Sequence, residues 1–231
     1  MNIAEKILRA KEDFDEVFEA GKKAEYDAFW NSSKDATDWV RRFTGRCWND
    51  TTFKPGYDLK LKYNCLGCFH NFGVSDFKKC IDESGVVFST TGMTGAQSLF
   101  EYALNLTNML PIDLSKCSGE WDTQNIFKNC YNLITIDKLI ISDVVWFKTS
   151  FDNCHRLKNL TLEGTLAKNG LNLQWSTQLS KASITSIINC LSSTTSGLSI
   201  TLSQTAVNNA FTTEEWNALI ATKPNWTITL V

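Results

Sequence analysis

The sequence contains a repeated motif in which an apolar residue recurs at every third position, Phe-x-x-Cys-x-x-Leu-x-x-Ile/Leu. Clear copies begin at Phe127 and Phe151, and a copy with alanine in place of cysteine begins at Phe100. The three phenylalanines are 27 and 24 residues apart, and a period of this length is typical of repeat architectures. One copy cannot bury its apolar side alone, so the pattern predicts copies that stack around one continuous core.

Short triplets with apolar first and third residues recur along the same part of the chain. They are Val86–Phe88, Ile112–Leu114, Leu139–Ile141, Leu160–Leu162, Leu171–Leu173 and Ile200–Leu202. This spacing of two predicts short strands whose outer side chains enter the core and whose middle side chain faces solvent. Because the motif and the triplets agree in period, we predict an α/β fold, a leucine-rich-repeat-like solenoid with short parallel strands over residues 86–175.

Residues 1–30 are predicted to form one N-terminal helix. Apolar or small residues follow an alternating spacing of four and three, at Ile3, Ile7, Ala10, Phe14, Val17, Gly21, Ala24 and Ala28. That seam favours a coiled coil, a homo-oligomer of two or three chains held together by the residues from Ile3 to Val17. The alternative is a helix that packs on its own domain, since Phe18 and Trp30 widen the apolar face.

The segments on either side of the predicted solenoid indicate caps that close its core. Residues 31–85 combine turn sequences with several aromatic residues, which is typical of a junction and N-terminal cap. Residues 176–231 are predicted to form a C-terminal cap of two helices and a strand. Ser180–Leu191 is an amphipathic helix that begins at a serine, a second helix begins near Thr212, and Asn225–Val231 has a strand pattern.

The motif copies resemble BspA-type leucine-rich repeats. The wider layout resembles short repeat proteins encoded by phages and prophages of gut bacteria. Those proteins begin with a helix like Ala4–Trp30 and continue with a segment like Trp48 to Tyr57. They end with a Ser-x-x-Ser-Ile-Ile-Asn-x-Leu helix like Ser183–Leu191 and a strand like Trp226–Leu230. The resemblance implies a structural or tail-associated role and adhesion, and it supplies no catalytic residues.

The residues with the most reactive chemistry are Cys65, Cys68 and His70, which lie within six positions of one another. Structural zinc takes four thiolate or imidazole ligands, usually from two paired motifs, and only one Cys-x-x-Cys pair is present. A redox pair requires a βαβ setting that the surrounding sequence lacks. We therefore expect buried cysteines without metal or cofactor, with a metal or redox centre as the alternative.

Two observations disfavour an enzyme. His70 and His155 are the only histidines, and neither accompanies a nucleophile motif such as Gly-x-Ser-x-Gly. No glycine-rich loop for a phosphate or a dinucleotide is present. His155 follows Cys154 directly, but neighbouring residues in a turn point apart, so a solvated histidine is the simpler interpretation.

Two sets of residues are candidates for partner binding. The exposed column of the predicted sheet contains Asp113, Ile140, Thr161 and Asn172. Trp121, Trp146 and Trp175 lie in or near the connections between copies. An indole combines a large apolar area with a hydrogen-bond donor, so an exposed tryptophan suits binding of a sugar or a protein. The alternative is that both sets are ordinary solvated surface.

Charge and hydropathy narrow the classes of partner. The formal net charge is -2 and basic residues form no long block, which disfavours nucleic acid. No apolar run is long enough for membrane insertion, and the N-terminus has no secretory signal pattern. We therefore expect synthesis in the cytoplasm, and association with a virion is a hypothesis that follows from the resemblance.

These observations favour a non-enzymatic recognition or structural protein. The leading hypothesis is a phage- or prophage-encoded protein, tail-associated or binding a host surface, that presents a repeat surface to a protein or glycan partner. One alternative is a bacterial adhesin-like or intracellular scaffolding repeat protein. Another is a metal-binding or redox protein that uses Cys65, Cys68 and His70.

Overall fold

The computed structural model describes Ala24 and residues 59–231. Ala24, one position of the predicted seam, is helical and exposed. The residues predicted to mediate self-association, Ile3, Ile7, Ala10, Phe14 and Val17, lie outside the described residues. The chain divides into two units, Met1–Thr37 and Asp38–Val231, and every element named below lies in the second.

Residues 59–231 form nine strands and four helices. The strands are β1 (Leu59–Asn64), β2 (Phe88–Gly95), β3 (Asn108–Met109), β4 (Ile112–Asp113), β5 (Thr135–Ile141), β6 (Asn159–Gly164), β7 (Asn172–Leu173), β8 (Leu198–Leu202) and β9 (Trp226–Leu230). The helices are α1 (Phe77–Ser84), α2 (Lys181–Cys190), α3 (Gln204–Ala210) and α4 (Thr213–Ile220). Asp76, Ser180, Ser203 and Thr212 are the four N-caps, and each accepts a hydrogen bond from the backbone N–H three residues later.

The prediction of one leucine-rich-repeat-like solenoid is wrong. The strands do pair in parallel, but they lie in three separate small sheets within a mixed α/β fold. β1 pairs with β2, and β5 is the central strand of a second sheet with β3, β4 and β6. The third sheet has the order β7-β8-β9. The sheets are separate because side chains replace the backbone as hydrogen-bond partners at the two boundaries between them.

The first boundary lies between β2 and β4. These strands contact each other but belong to different sheets. The backbone N–H of Asp113 donates to the Thr90 hydroxyl oxygen at 2.7 Å. The threonine side chain therefore satisfies a strand donor that would otherwise need a carbonyl of the neighbouring strand.

The second boundary lies at the edge of β6 that does not pair with β5, where helix α2 packs on the strand. The N–H groups of Leu160 and Leu162 donate to the hydroxyl oxygens of Ser183 and Ser186, at 2.9 and 3.0 Å. The same hydroxyls donate to the carbonyls of Lys158 and Leu162, both at 3.1 Å. A hydroxyl both donates and accepts, so two serines on one helix face satisfy this strand edge.

The copies of the motif form tight turns that stack on one another. Phe100 and Phe127 lie 5.7 Å apart between ring centroids, and Phe127 and Phe151 lie 6.0 Å apart. Phe69, which the sequence analysis did not align, begins an earlier turn, and its ring stacks on Phe100 at 4.8 Å. All four phenylalanines are fully buried, so they form the centre of the core.

Several elements agree with the prediction and others were missed. Helix α2, helix α4 and strand β9 occupy the segments predicted for the C-terminal helices and strand. β1, β3, α1 and α3 were not predicted from the sequence. β1 carries the alternating apolar residues of a strand, Leu59 and Leu61, but it lies in the segment predicted as a cap, and α1 and α3 span only eight and seven residues.

Candidate binding surface

Cys65, Cys68 and His70 belong to the first stacked turn. Both cysteines are fully buried. Cys65 lies four residues before Phe69 and Cys68 lies one residue before it, and in the next turn Ala96 and Leu99 occupy the same positions relative to Phe100. These are core positions. His70 lies beside the Tyr102 ring, with 5.6 Å between the centroids. Within residues 59–231 no three His, Cys, Asp or Glu side chains come together in a way that could hold a metal ion.

The motif cysteines link successive turns. The Cys130 thiol donates to the Phe100 carbonyl oxygen at 3.1 Å, and the Cys154 thiol donates to the Phe127 carbonyl oxygen at 3.2 Å. Burial raises the pKa of both thiols far above the ordinary value of 9.0. A thiol that stays protonated is a poor nucleophile and a poor metal ligand. These two cysteines therefore serve the packing of the turns.

The predicted sheet column is broken by a change of register. Asp113 pairs with Ile140, as the sequence pattern implied. An irregularity between Ile136 and Leu139 then places Glu163 opposite Ile140, in the position expected for Thr161. Asn172 pairs with Thr201 in the third sheet. The four predicted residues therefore do not form one continuous column.

Trp121 and Trp146 each lie beside a lysine. Trp121 is 54% exposed, and the Lys148 ammonium is 4.4 Å from its ring centroid. The same ammonium forms an ion pair with Glu120 at 3.1 Å. Trp146 is half-buried, and the Lys168 ammonium is 5.4 Å from its ring centroid. Both indoles thus have cation–π partners from this chain.

Trp175, the third predicted tryptophan, ends a row of exposed rings with Tyr131 and His155, which we call the turn strip. Tyr131 and His155 are nearly parallel, with a centroid separation of 5.9 Å and an interplanar angle of 6°. His155 and Trp175 lie 5.5 Å apart at 76°. Tyr131 is 42% exposed and Trp175 is 41% exposed. Three rings in contact thus present a continuous aromatic surface to solvent.

Hydrogen bonds order one ring of the turn strip, Tyr131, and polar side chains beside the strip. The Tyr131 hydroxyl donates to the Asn129 side-chain oxygen at 3.4 Å, and the Asn153 amide donates to the same oxygen at 2.7 Å. Next to the strip, the Arg156 guanidinium donates to the Asn132 side-chain oxygen at 3.2 Å. Rings that are already ordered lose little conformational entropy on binding, which favours affinity.

Tyr131 was not among the predicted binding residues, and His155 was predicted to be a solvated histidine. Both lie four residues after the motif phenylalanine, and Leu104 occupies the same position in the turn before them. Leu104 is also exposed, at 46%. An exposed position that carries leucine, tyrosine and histidine in successive copies was therefore the sequence signal for this surface.

Comparison of the chain with profiles of protein families, with curated proteins and with solved structures finds no match. The binding surface therefore rests on the geometry of this chain alone. Over residues 59–231, no helix combines the length and the apolar character needed to cross a membrane.

Proposed function

We propose that this chain is a non-enzymatic recognition protein that binds a partner at a cell surface through the turn strip. The observation that carries the proposal is the contact between three exposed rings, Tyr131, His155 and Trp175. Tyrosine, tryptophan and arginine are the residues most enriched where binding energy is concentrated. The strip combines the first two, and Arg156 lies beside it.

We also propose a phage or prophage origin and an association with the tail or the host surface. The support is the resemblance of Ala4–Trp30, Ser183–Leu191 and Trp226–Leu230 to short phage-encoded repeat proteins. The neighbouring genes test this proposal. Tail and lysis genes beside this one are expected, and metabolic genes in their place would contradict it.

The binding proposal is tested by retention on intact gut bacterial cells. The fluorescently labelled full chain is compared with the double variant Tyr131→Ala/Trp175→Ala and with the control Trp121→Ala. Removal of the two aromatic rings at the ends of the strip is expected to weaken retention by about 30-fold or more. The control removes an indole of greater exposure outside the strip, so it is expected to bind as the unmodified chain does.

Equal retention of the strip variant and the unmodified chain would contradict the proposal, as would absence of any retention. The three substituted rings are exposed, so the variants are expected to fold. Far-ultraviolet circular dichroism verifies this before the binding measurement.

A further inference from the structure

We propose that the turn strip binds an acidic polysaccharide built from uronate sugars, in which Arg156 holds the sugar carboxylate. This inference rests on the proposed function and specifies its ligand. It assigns two chemical tasks to adjacent parts of one surface. The aromatic rings contact the apolar face of the pyranose, and the guanidinium binds the charge that the pyranose carries.

The aromatic part of the surface suits a sugar ring. Tyr131 and His155 are nearly parallel, with centroids 5.9 Å apart, and both residues are exposed, so a ligand can reach the row of rings from solvent. An aromatic face carries partial negative charge and attracts the polarised C–H bonds on one side of a pyranose. Trp175 extends this surface beyond His155, so the strip can contact more than one sugar unit.

The charge of Arg156 is available to a ligand. Its side chain is exposed, and its hydrogen bond goes to the neutral amide of Asn132. None of the ion pairs found within residues 59–231 includes Arg156. A guanidinium has five N–H donors in a planar fork that matches a carboxylate. A carboxylate is therefore the group that this residue would recognise best.

The shape of the surface favours a polysaccharide over an acidic peptide. Two common modes of peptide binding are addition of a strand to an open sheet edge and insertion of anchor side chains into a groove. Here the turn backbone is already paired, since the N–H of Phe127 donates to the Ser150 carbonyl and that of Asn129 to the Asp152 carbonyl. Three surface cavities of residues 59–231 lie elsewhere, along α2, between α4 and β9, and beyond the end of β5. An exposed row of rings outside a sheet edge suits the apolar side of a sugar instead.

The test is affinity electrophoresis of the full chain through gels that contain polygalacturonate or hyaluronate, with dextran as the neutral polymer and poly-glutamate as the acidic peptide. Both uronate polymers are expected to retard the chain, and dextran and poly-glutamate are expected to leave its mobility unchanged. Retardation is expected to fall as salt increases, because the contact is charged and exposed.

Three variants sharpen the test. Arg156→Gln is expected to weaken uronate binding by about 10-fold or more, the loss of one charge-assisted contact. Arg156→Lys keeps the charge but not the fork, so its binding is expected to be intermediate. Lys148→Gln is the control, because it removes an exposed cation outside the strip, and it is expected to leave binding unchanged.

Several results would overturn the inference. They are no retardation by either uronate polymer, unchanged binding by Arg156→Gln, and equal retardation by dextran or poly-glutamate. Loss of cell retention in the Tyr131→Ala/Trp175→Ala variant without uronate binding would leave the proposed function standing and remove only the ligand class.

Discussion

Each stacked turn has left-handed backbone two residues before and two residues after its phenylalanine. Asparagine occupies the later position in three of the four turns, at Asn71, Asn129 and Asn153, with φ between 57° and 64°. Asparagine tolerates this conformation better than other residues with a Cβ atom. Tyr102 occupies the same position in the Phe100 turn, at φ 61°. A bulky residue in this conformation lowers the stability of the fold by about 1 kcal/mol or more.

The residue with the strictest local requirement is Gly164, at the end of β6. Its φ is 119°, and a Cβ atom would overlap the carbonyl oxygen of Ile141 on the neighbouring strand. Gly164→Ala is therefore expected to lower the free energy of unfolding by at least about 2 kcal/mol. Urea denaturation followed by circular dichroism measures the change.

Gly197 provides the matched control for this substitution. It also has positive φ, 73°, but no atom lies within 4 Å of its added Cβ. Gly197→Ala is expected to lower the free energy of unfolding by only about 1 kcal/mol, because the left-handed backbone conformation is the only unfavourable contribution. Equal losses in the two variants would show that the contact with Ile141 is not the cause.

At the scale of elements, helix α2 decides where the central sheet ends. Ser183 and Ser186 are three residues apart, so they lie on the same helix face. Their hydroxyls bind backbone groups of β6. The Ser-x-x-Ser-Ile-Ile-Asn-x-Leu segment of the sequence thereby acquires a physical role. Its serines bind the strand edge, and Ile184, Ile187 and Ile188 are buried in the core.

Removal of these hydroxyls tests that role. Ser183→Ala and Ser186→Ala are each expected to destabilise the fold by about 1 to 2 kcal/mol, because strand N–H groups lose their acceptor. Amide hydrogen exchange at Leu160 and Leu162 is expected to accelerate more than at other β6 residues. Thr185→Ala on the same helix is the control, since no bond from Thr185 to β6 occurs in the described region. Unchanged exchange in both serine variants would contradict the interpretation.

At the scale of the whole molecule, buried thiols make the free energy of unfolding depend on pH. Burial raises the pKa of Cys117 to about 12 and that of Cys130 and Cys154 well above 9.0. In the unfolded chain these thiols ionise near pH 9, whereas in the folded chain they remain protonated. Because the folded pKa is the higher one, their contribution to stability is complete below about pH 9 and decreases above it.

The expected effect is measurable with a double variant. Between pH 9 and about pH 10, the unmodified chain is expected to lose about 2 kcal/mol more unfolding free energy than Cys130→Ala/Cys154→Ala. Alanine already occupies this motif position at Ala103, so the variant is expected to fold. Urea denaturation across this pH range measures both slopes. Identical slopes would mean that the two thiols do not govern the alkaline loss of stability.

A sequence pattern is a reliable predictor where short-range physics decides the outcome. The motif period located three of the four stacked phenylalanines, and the capping residues located α2 and α4, because neighbours in the chain set both features. Phe69 was missed because Phe72, Ser75 and Lys78 occupy all three later positions of the motif. The turn strip was not predicted as one surface because Tyr131, His155 and Trp175 come together only when separate turns stack.

The sequence by itself determined the spacing of the turns, the residues buried at their centre and the starts of the C-terminal helices. Only the tertiary structure decided that the strands divide into three sheets and that the exposed rings meet. The physical reason is that hydroxyls of Thr90, Ser183 and Ser186 replace backbone partners supplied by distant strands. Whether a hydroxyl reaches a strand edge depends on how the elements pack, and a local sequence pattern does not predict that packing.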